Sequence, residues 1–155
     1  MNLGRKHPPA RRAAPTAAPV PAAAPPAGRV GELAAAWAPT AGRVLLGLVL
    51  AWFGYHELVQ PGLWTGYVPL VASGSALAAV AVLAHGWLLL VLAMALICGI
   101  ATRVAAAAAV VLLAEIVISL IAVGGLSDLT MRDVGVLGLA VCLTGQHTQR
   151  LVLRR

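Results

Sequence analysis

Glu57, Glu115 and Arg132 are the residues of this chain best placed to do chemistry, because each lies within a long, otherwise apolar run. A charge at the centre of a bilayer costs at least about 2.5 kcal/mol unless it is paired or hydrated, so each needs a partner, a proton or water. One arginine cannot fully satisfy two carboxylates. The carboxylate left over is free to take up a proton or a polar ligand, which makes the trio a candidate ligand or proton site. His56 and His85 lie at the same level and join it. They are also the residue types that ligate haem or a metal, but neither their spacing nor a third ligand supports either group, so no metal site is expected. The alternative for the cluster is structural: an ion pair that holds helices in register.

The shared level follows from helix geometry. At 1.5 Å per residue, Glu57 lies about 21 Å along a helix from Arg43, and Glu115 about 18 Å from Arg103. Arg132 lies about 21 Å from Gln146 on the same count. Facing follows from small residues, which let helix backbones approach closely. Gly47, Ala51 and Gly54 form one such stripe, and Gly135, Gly138, Cys142 and Gly145 another. Glu57 and Arg132 each stand three residues from a stripe and are expected to point inward. His56 and Asp133 fall off the stripes, and Asp133, three residues after Thr130, reads as part of a capping box. Asp128 reads as a solvated loop residue, and Trp52 as a packing residue. Trp64, Tyr67 and Trp87 read as an interfacial aromatic belt. Cys98 and Cys142 form no CxxC pair and read as small packing residues.

The elements that carry these residues must be membrane spans. Of 155 residues, 61% are hydrophobic and only 10% charged. A soluble domain carries about 25% charged residues, so a water-soluble globule is excluded. The first forty residues hold eight of the ten prolines. Residues 1–40 therefore read as a disordered, basic, Pro/Ala-rich tail, with at most a short surface helix over 30–37. Residues 41–147 read as the transmembrane domain and 148–155 as a basic C-terminal end. Four spans are expected, over 43–59, 85–100, 102–123 and 131–146. Residues 70–84 follow a proline and contain Ser73, Gly74 and Ser75, so they read as a short re-entrant or interfacial helix between the first and second spans. The fold class is thus all-α, an integral membrane four-helix bundle.

Orientation follows from the basic residues. With both termini on the cytoplasmic side of the cell membrane, ten of the eleven lysines and arginines face inward and only Arg132 faces out. The formal net charge of +6 then marks flanks lying on anionic lipid, and no nucleic-acid partner is expected. No P-loop, G-x-G-x-x-G, H-E-x-x-H or serine-elbow motif is present, so an enzyme acting alone is not supported.

Several short motifs resemble the DoxX family of small four-helix membrane proteins. They are Arg43-Val-Leu-Leu-Gly47 and Gly54-Tyr-His-Glu-Leu58, Pro61 with Trp64-Thr-Gly-Tyr67-Val-Pro69, His85-Gly86, Gly99-Ile-Ala-Thr102-Arg103, and Arg132-Asp133. The resemblance covers about residues 41–147. It implies association with other protein subunits in a redox or respiratory complex, and a polar pocket in the outer leaflet that takes quinone or another small ligand. Glu57, Glu115 and Arg132 would then hold protons or a headgroup. A structural or assembly subunit without a ligand is the competing expectation.

Overall fold

The computed structural model describes residues 28–146 and Val152, and among them every regular element is helical. Four helices follow one another: α1 (Arg29–Val59), α2 (Ala76–Cys98), α3 (Thr102–Gly124) and α4 (Asp128–Thr144). The first three are long and apolar enough to cross a membrane, which makes this a multi-pass membrane protein in contact with lipid. Helix α4, at 17 residues, is about 25 Å long, shorter than the hydrocarbon core.

Helix α1 starts fourteen residues before the expected first span and runs through Pro39. The segment between Gly28 and Pro39 holds four alanines with Glu32 and Leu33, strong helix formers that keep the turn going where a tail was expected. The expected surface helix over 30–37 is therefore the first part of α1, and the tail boundary at residue 40 moves back accordingly. Residues 1–27 of the expected tail lie outside the described residues, as do 148–151 and 153–155 of the C-terminal end.

The second correction concerns the turn into α2. Residues 70–84 contain no separate re-entrant helix. Leu70 and Gly74 turn the chain with positive φ, and Ser75 then caps α2, its hydroxyl accepting from the Ala78 amide at 3.1 Å. From Ala76 nothing interrupts the helix, so 76–84 and 85–98 form one rod about 35 Å long. It ends at Gly99, with φ +72°. The Ile100 amide reaches back to the Ala95 carbonyl and the Gly99 amide to that of Leu96, the double closure of a Schellman motif. Helix α3 matches its expected span to within one residue. Helix α4 begins at Asp128, capped by Ser127 rather than by a Thr130–Asp133 box. Asp128 thus lies in the first helical turn, where a carboxylate favours the helix dipole, and not in a loop.

The helices close into a ring in which α1 packs mainly on α2 and α3 mainly on α4. Leu46, Leu50, Leu89, Leu96, Leu113 and Leu143 fill the centre, with Ala93, Ala105, Ala109 and Ala140 letting the rods come close. The glycine stripe of α1 works as expected. A Cβ on Gly54 would sit 2.7 Å from the Gly86 carbonyl oxygen of α2, and one on Gly47 the same distance from Ile97 Cγ1. The stripe of α4 does not. A methyl added at Gly135 or Gly138 would meet nothing within 4 Å, and Cys142 is exposed; the inward face is Thr130, Asp133, Ala140 and Leu143. Gly54→Ala is accordingly expected to lower stability by about 1–3 kcal/mol, through overpacking against backbone that cannot give way. Gly138→Ala should leave it unchanged or slightly raised. Equal detergent-unfolding midpoints for the two variants would contradict this packing.

Candidate functional site

Where α1 meets the turn into α2, the bundle encloses a cavity of about 240 Å³. Its walls are mostly apolar, including Phe53, Val82, Ile116 and Leu120. Two 3₁₀ turns, Pro61–Leu63 and Thr65–Tyr67, carry Trp64 and Tyr67 over it. Buried Thr65 braces this cover by donating from its hydroxyl to the Gly62 carbonyl at 3.0 Å. Trp64 meets Phe53 edge-on at 6.2 Å. Trp64 and Tyr67, expected in an interfacial belt, thus belong to the cavity wall; Trp87 is 62% exposed on the helix surface.

Four of the five expected site residues line this cavity: Glu57, His85, Glu115 and Arg132. The expected partnerships change. Glu57, only 5% exposed, accepts a hydrogen bond of 2.8 Å from His85 Nδ1, joining α1 to α2. The continuity of α2 is what permits this, because it sets His85 nine residues inside the helix rather than at its start. A carboxylate only accepts, so the bond places a hydrogen on Nδ1 and fixes the imidazole's orientation. The other nitrogen, Nε2, is buried, makes no hydrogen bond, and lies 3.9 Å from Glu115 Oε2.

Glu115 therefore faces His85 and not Arg132. Its Oε1 accepts from the Ser119 hydroxyl at 3.3 Å, one helical turn along α3. Arg132 instead donates from Nε to Asp133 Oδ1 at 3.0 Å, with its guanidinium carbon 5.2 Å from the centre of the Phe53 ring. The Glu115 side chain is 48% exposed and that of Arg132 53%, so both stand at the rim, with Glu57 and Asp133 deeper.

His56 is not brought to the cavity. Its ring stacks against Trp52 at 4.3 Å and its Nδ1 bonds the Trp52 carbonyl at 2.8 Å on the outer face of α1. Trp52, expected in the packing, is 65% exposed there. Among the described residues, no three His, Cys, Asp or Glu side chains gather in a way that could hold a metal ion.

Two residues escaped the sequence reading. Asp133, read as a cap, is buried and lines the cavity. Its signal was the spacing of Thr130, Asp133 and Ala140, which form one helical face, but the glycine stripe pointed to the opposite one. Arg43, read as the opening of the first span, is buried in the middle of α1, about 21 Å from Glu57. No position in the sequence distinguishes it from an interfacial arginine.

The arrangement can hold a small, mainly apolar molecule by its body and engage its polar end with a carboxylate-oriented imidazole, two further carboxylates and a guanidinium. It also provides a chain of proton-bearing groups from buried Glu57 through His85 to the half-exposed Glu115. No family model matches the chain, and neither does any curated protein or solved structure.

Proposed function

We propose that this protein is a DoxX-like membrane subunit of a redox or respiratory complex, anchoring partner proteins in the cell membrane and offering its cavity to a quinone headgroup. The observation that carries this reading is the convergence of Glu57, His85, Glu115, Arg132 and Asp133 on an apolar cavity of about 240 Å³. Ligand pockets pair an apolar lining with a few convergent polar groups in this way. Exchange between quinone and its reduced form needs protons as well as electrons. The Glu57–His85–Glu115 series serves the protons, and a partner protein exchanges the electrons. In this reading α4 also crosses the bilayer, both termini are cytoplasmic, and the cavity opens in the outer leaflet.

The test is binding and turnover of a short-chain quinone. Purified protein in lipid nanodiscs should bind it, and Glu115→Gln should lower quinone-linked activity of the assembled complex by about tenfold or more while assembly persists. Turnover unchanged in that variant would count against the reading.

The Glu57–His85 pair itself favours a second reading, a structural or assembly subunit, since it ties α1 to α2 across a buried interface. In that case the purified protein binds no quinone, and Glu57→Gln impairs complex formation while Glu115→Gln changes nothing.

A further inference from the structure

The cavity is roofed and floored, and its openings are at the sides. Trp64 and Tyr67 form the roof, and Leu113 belongs both to the lining and to the leucine core beneath. The helices pack as two pairs, so the loose seams are those between pairs, α2 against α3 and α1 against α4. Each seam carries one half-exposed ionisable residue. Glu115 of α3 reaches His85 of α2, and Arg132 of α4 lies over Phe53 of α1. His85 and Glu115 each lie about 14 Å from the nearer end of a membrane-spanning rod, so the openings face acyl chains rather than water.

A membrane quinone has a headgroup and a long apolar tail. A cavity of about 240 Å³, smaller than those that hold a drug-sized molecule, takes the headgroup and leaves the tail to find a way out. The two seams offer different surfaces to it. A carboxylate exposed within a bilayer keeps a proton or water beside it, and hydrocarbon laid over Glu115 would displace both. Ser119, which donates to Glu115, makes that seam more polar still. The α1/α4 seam is apolar beneath the guanidinium, where the Phe53 ring meets the hydrocarbon stem of Arg132. Helix α4 faces α1 through Arg132, Leu139 and Leu143. Gly135 lies about 60° round α4 from Arg132, exposed on the lipid side, and an added methyl there would meet nothing within 4 Å. The glycine leaves a shallow bed beside the opening.

We infer that the tail of the ligand leaves the cavity through the α1/α4 seam, past Phe53 and over Gly135. The α2/α3 seam then stays clear of hydrocarbon, so that Glu115 can exchange protons. This rests on the quinone reading above and adds to it the route of the tail and the residues that decide which tails fit.

The test uses a benzoquinone whose decyl tail carries a diazirine at its middle, added to the full-length protein in phosphatidylcholine nanodiscs. After irradiation, mass spectrometry locates the labelled peptides. An excess of a tailless dimethoxy-methyl benzoquinone competes for the headgroup cavity, which separates site-bound label from label striking any lipid-facing helix. Label suppressed by this competitor is expected on α1 around Phe53 and on α4 between Arg132 and Leu139. Gly135→Phe fills the bed without meeting a neighbour. It should weaken binding of the tailed quinone by about tenfold, because a tail forced back into the cavity overpacks its walls, and leave the inhibition constant of the tailless one unchanged. Ile118→Phe, beside Glu115 on the exposed face of α3, should change neither.

Suppressible label confined to α2 and α3 would overturn the route and leave the quinone site standing. So would unchanged binding of the tailed quinone to the Gly135→Phe variant. Label that the tailless quinone suppresses nowhere would remove the quinone reading, and this inference with it.

Discussion

His85→Leu is expected to destabilise the bundle by about 2–4 kcal/mol, read as a lower fraction of SDS needed to unfold it in mixed micelles. The magnitude depends on what remains of Glu57. Hydrogen bonds between membrane helices average only about 0.6 kcal/mol, because a freed polar group usually finds another partner or reaches toward water. Glu57 has little room to do so: it is 5% exposed, and its Cβ would lie 3.0 Å from a methyl placed on Gly86. Removing the imidazole therefore strands a carboxylate in an apolar interface, the case in which breaking a buried pair is costly. The second change tests the cause. Glu57→Leu in the His85→Leu background removes the stranded group and should recover more than half of the loss, so the two effects are far from additive. If His85→Leu unfolds at the wild-type detergent fraction, the 2.8 Å bond contributes nothing to holding α1 against α2.

How much of this is legible in the sequence depends on what kind of signal each residue leaves. The apolar length of α3, the close-packing face of α1 at Gly47 and Gly54, and the gathering of Glu57, His85, Glu115 and Arg132 at one level all follow from hydropathy, the spacing of small residues and the 1.5 Å rise. Those quantities do not depend on tertiary context. The partnerships do. Whether Glu115 meets Arg132 or His85 depends on how α4 is rotated, and the rotation inferred from Gly135 and Gly138 fails because their stripe faces outward. Small residues mark a face able to pack closely; they do not say that this chain supplies the partner. The expected break before His85 fails for a local reason. Ser73, Gly74 and Ser75 read as the disruption of a helix, whereas Ser75 is the cap that starts one, and serine is favoured in both settings. Depth alone places His56 with the cluster. One residue along a helix from Glu57 is a rotation of about 100°, enough to move it from the cavity to the outer surface.

An all-or-none result is expected from labelling the turn and the ends. In a background with Cys98 and Cys142 replaced by serine, Gly66→Cys should react with a membrane-impermeant maleimide added to intact cells. Gly28→Cys and Val152→Cys should react only after the membrane is opened. The argument for the fourth crossing is electrostatic. Arg103 lies at the start of α3, and Arg150, Arg154 and Arg155 follow α4. Four crossings put these with the basic N-terminal residues on one side, whereas three would send the C-terminal arginines to the other side, against the positive-inside bias. The length of α4 argues the other way, since about 25 Å falls short of a core about 30 Å thick. The shortfall is a few ångströms, and mismatch costs only fractions of a kcal/mol per ångström. Translocating three arginines costs more than that, so the proposed fourth crossing is the one the charge term favours, with the bilayer thinning or polar ends flanking α4 at its borders. In the proposed orientation Gly66 and the cavity cover would face outward, and a ligand dissolved in the outer leaflet would enter past Glu115 and Arg132. Labelling of Val152→Cys from outside would mean that α4 does not cross, and the proposed ligand would then need another route to the cavity.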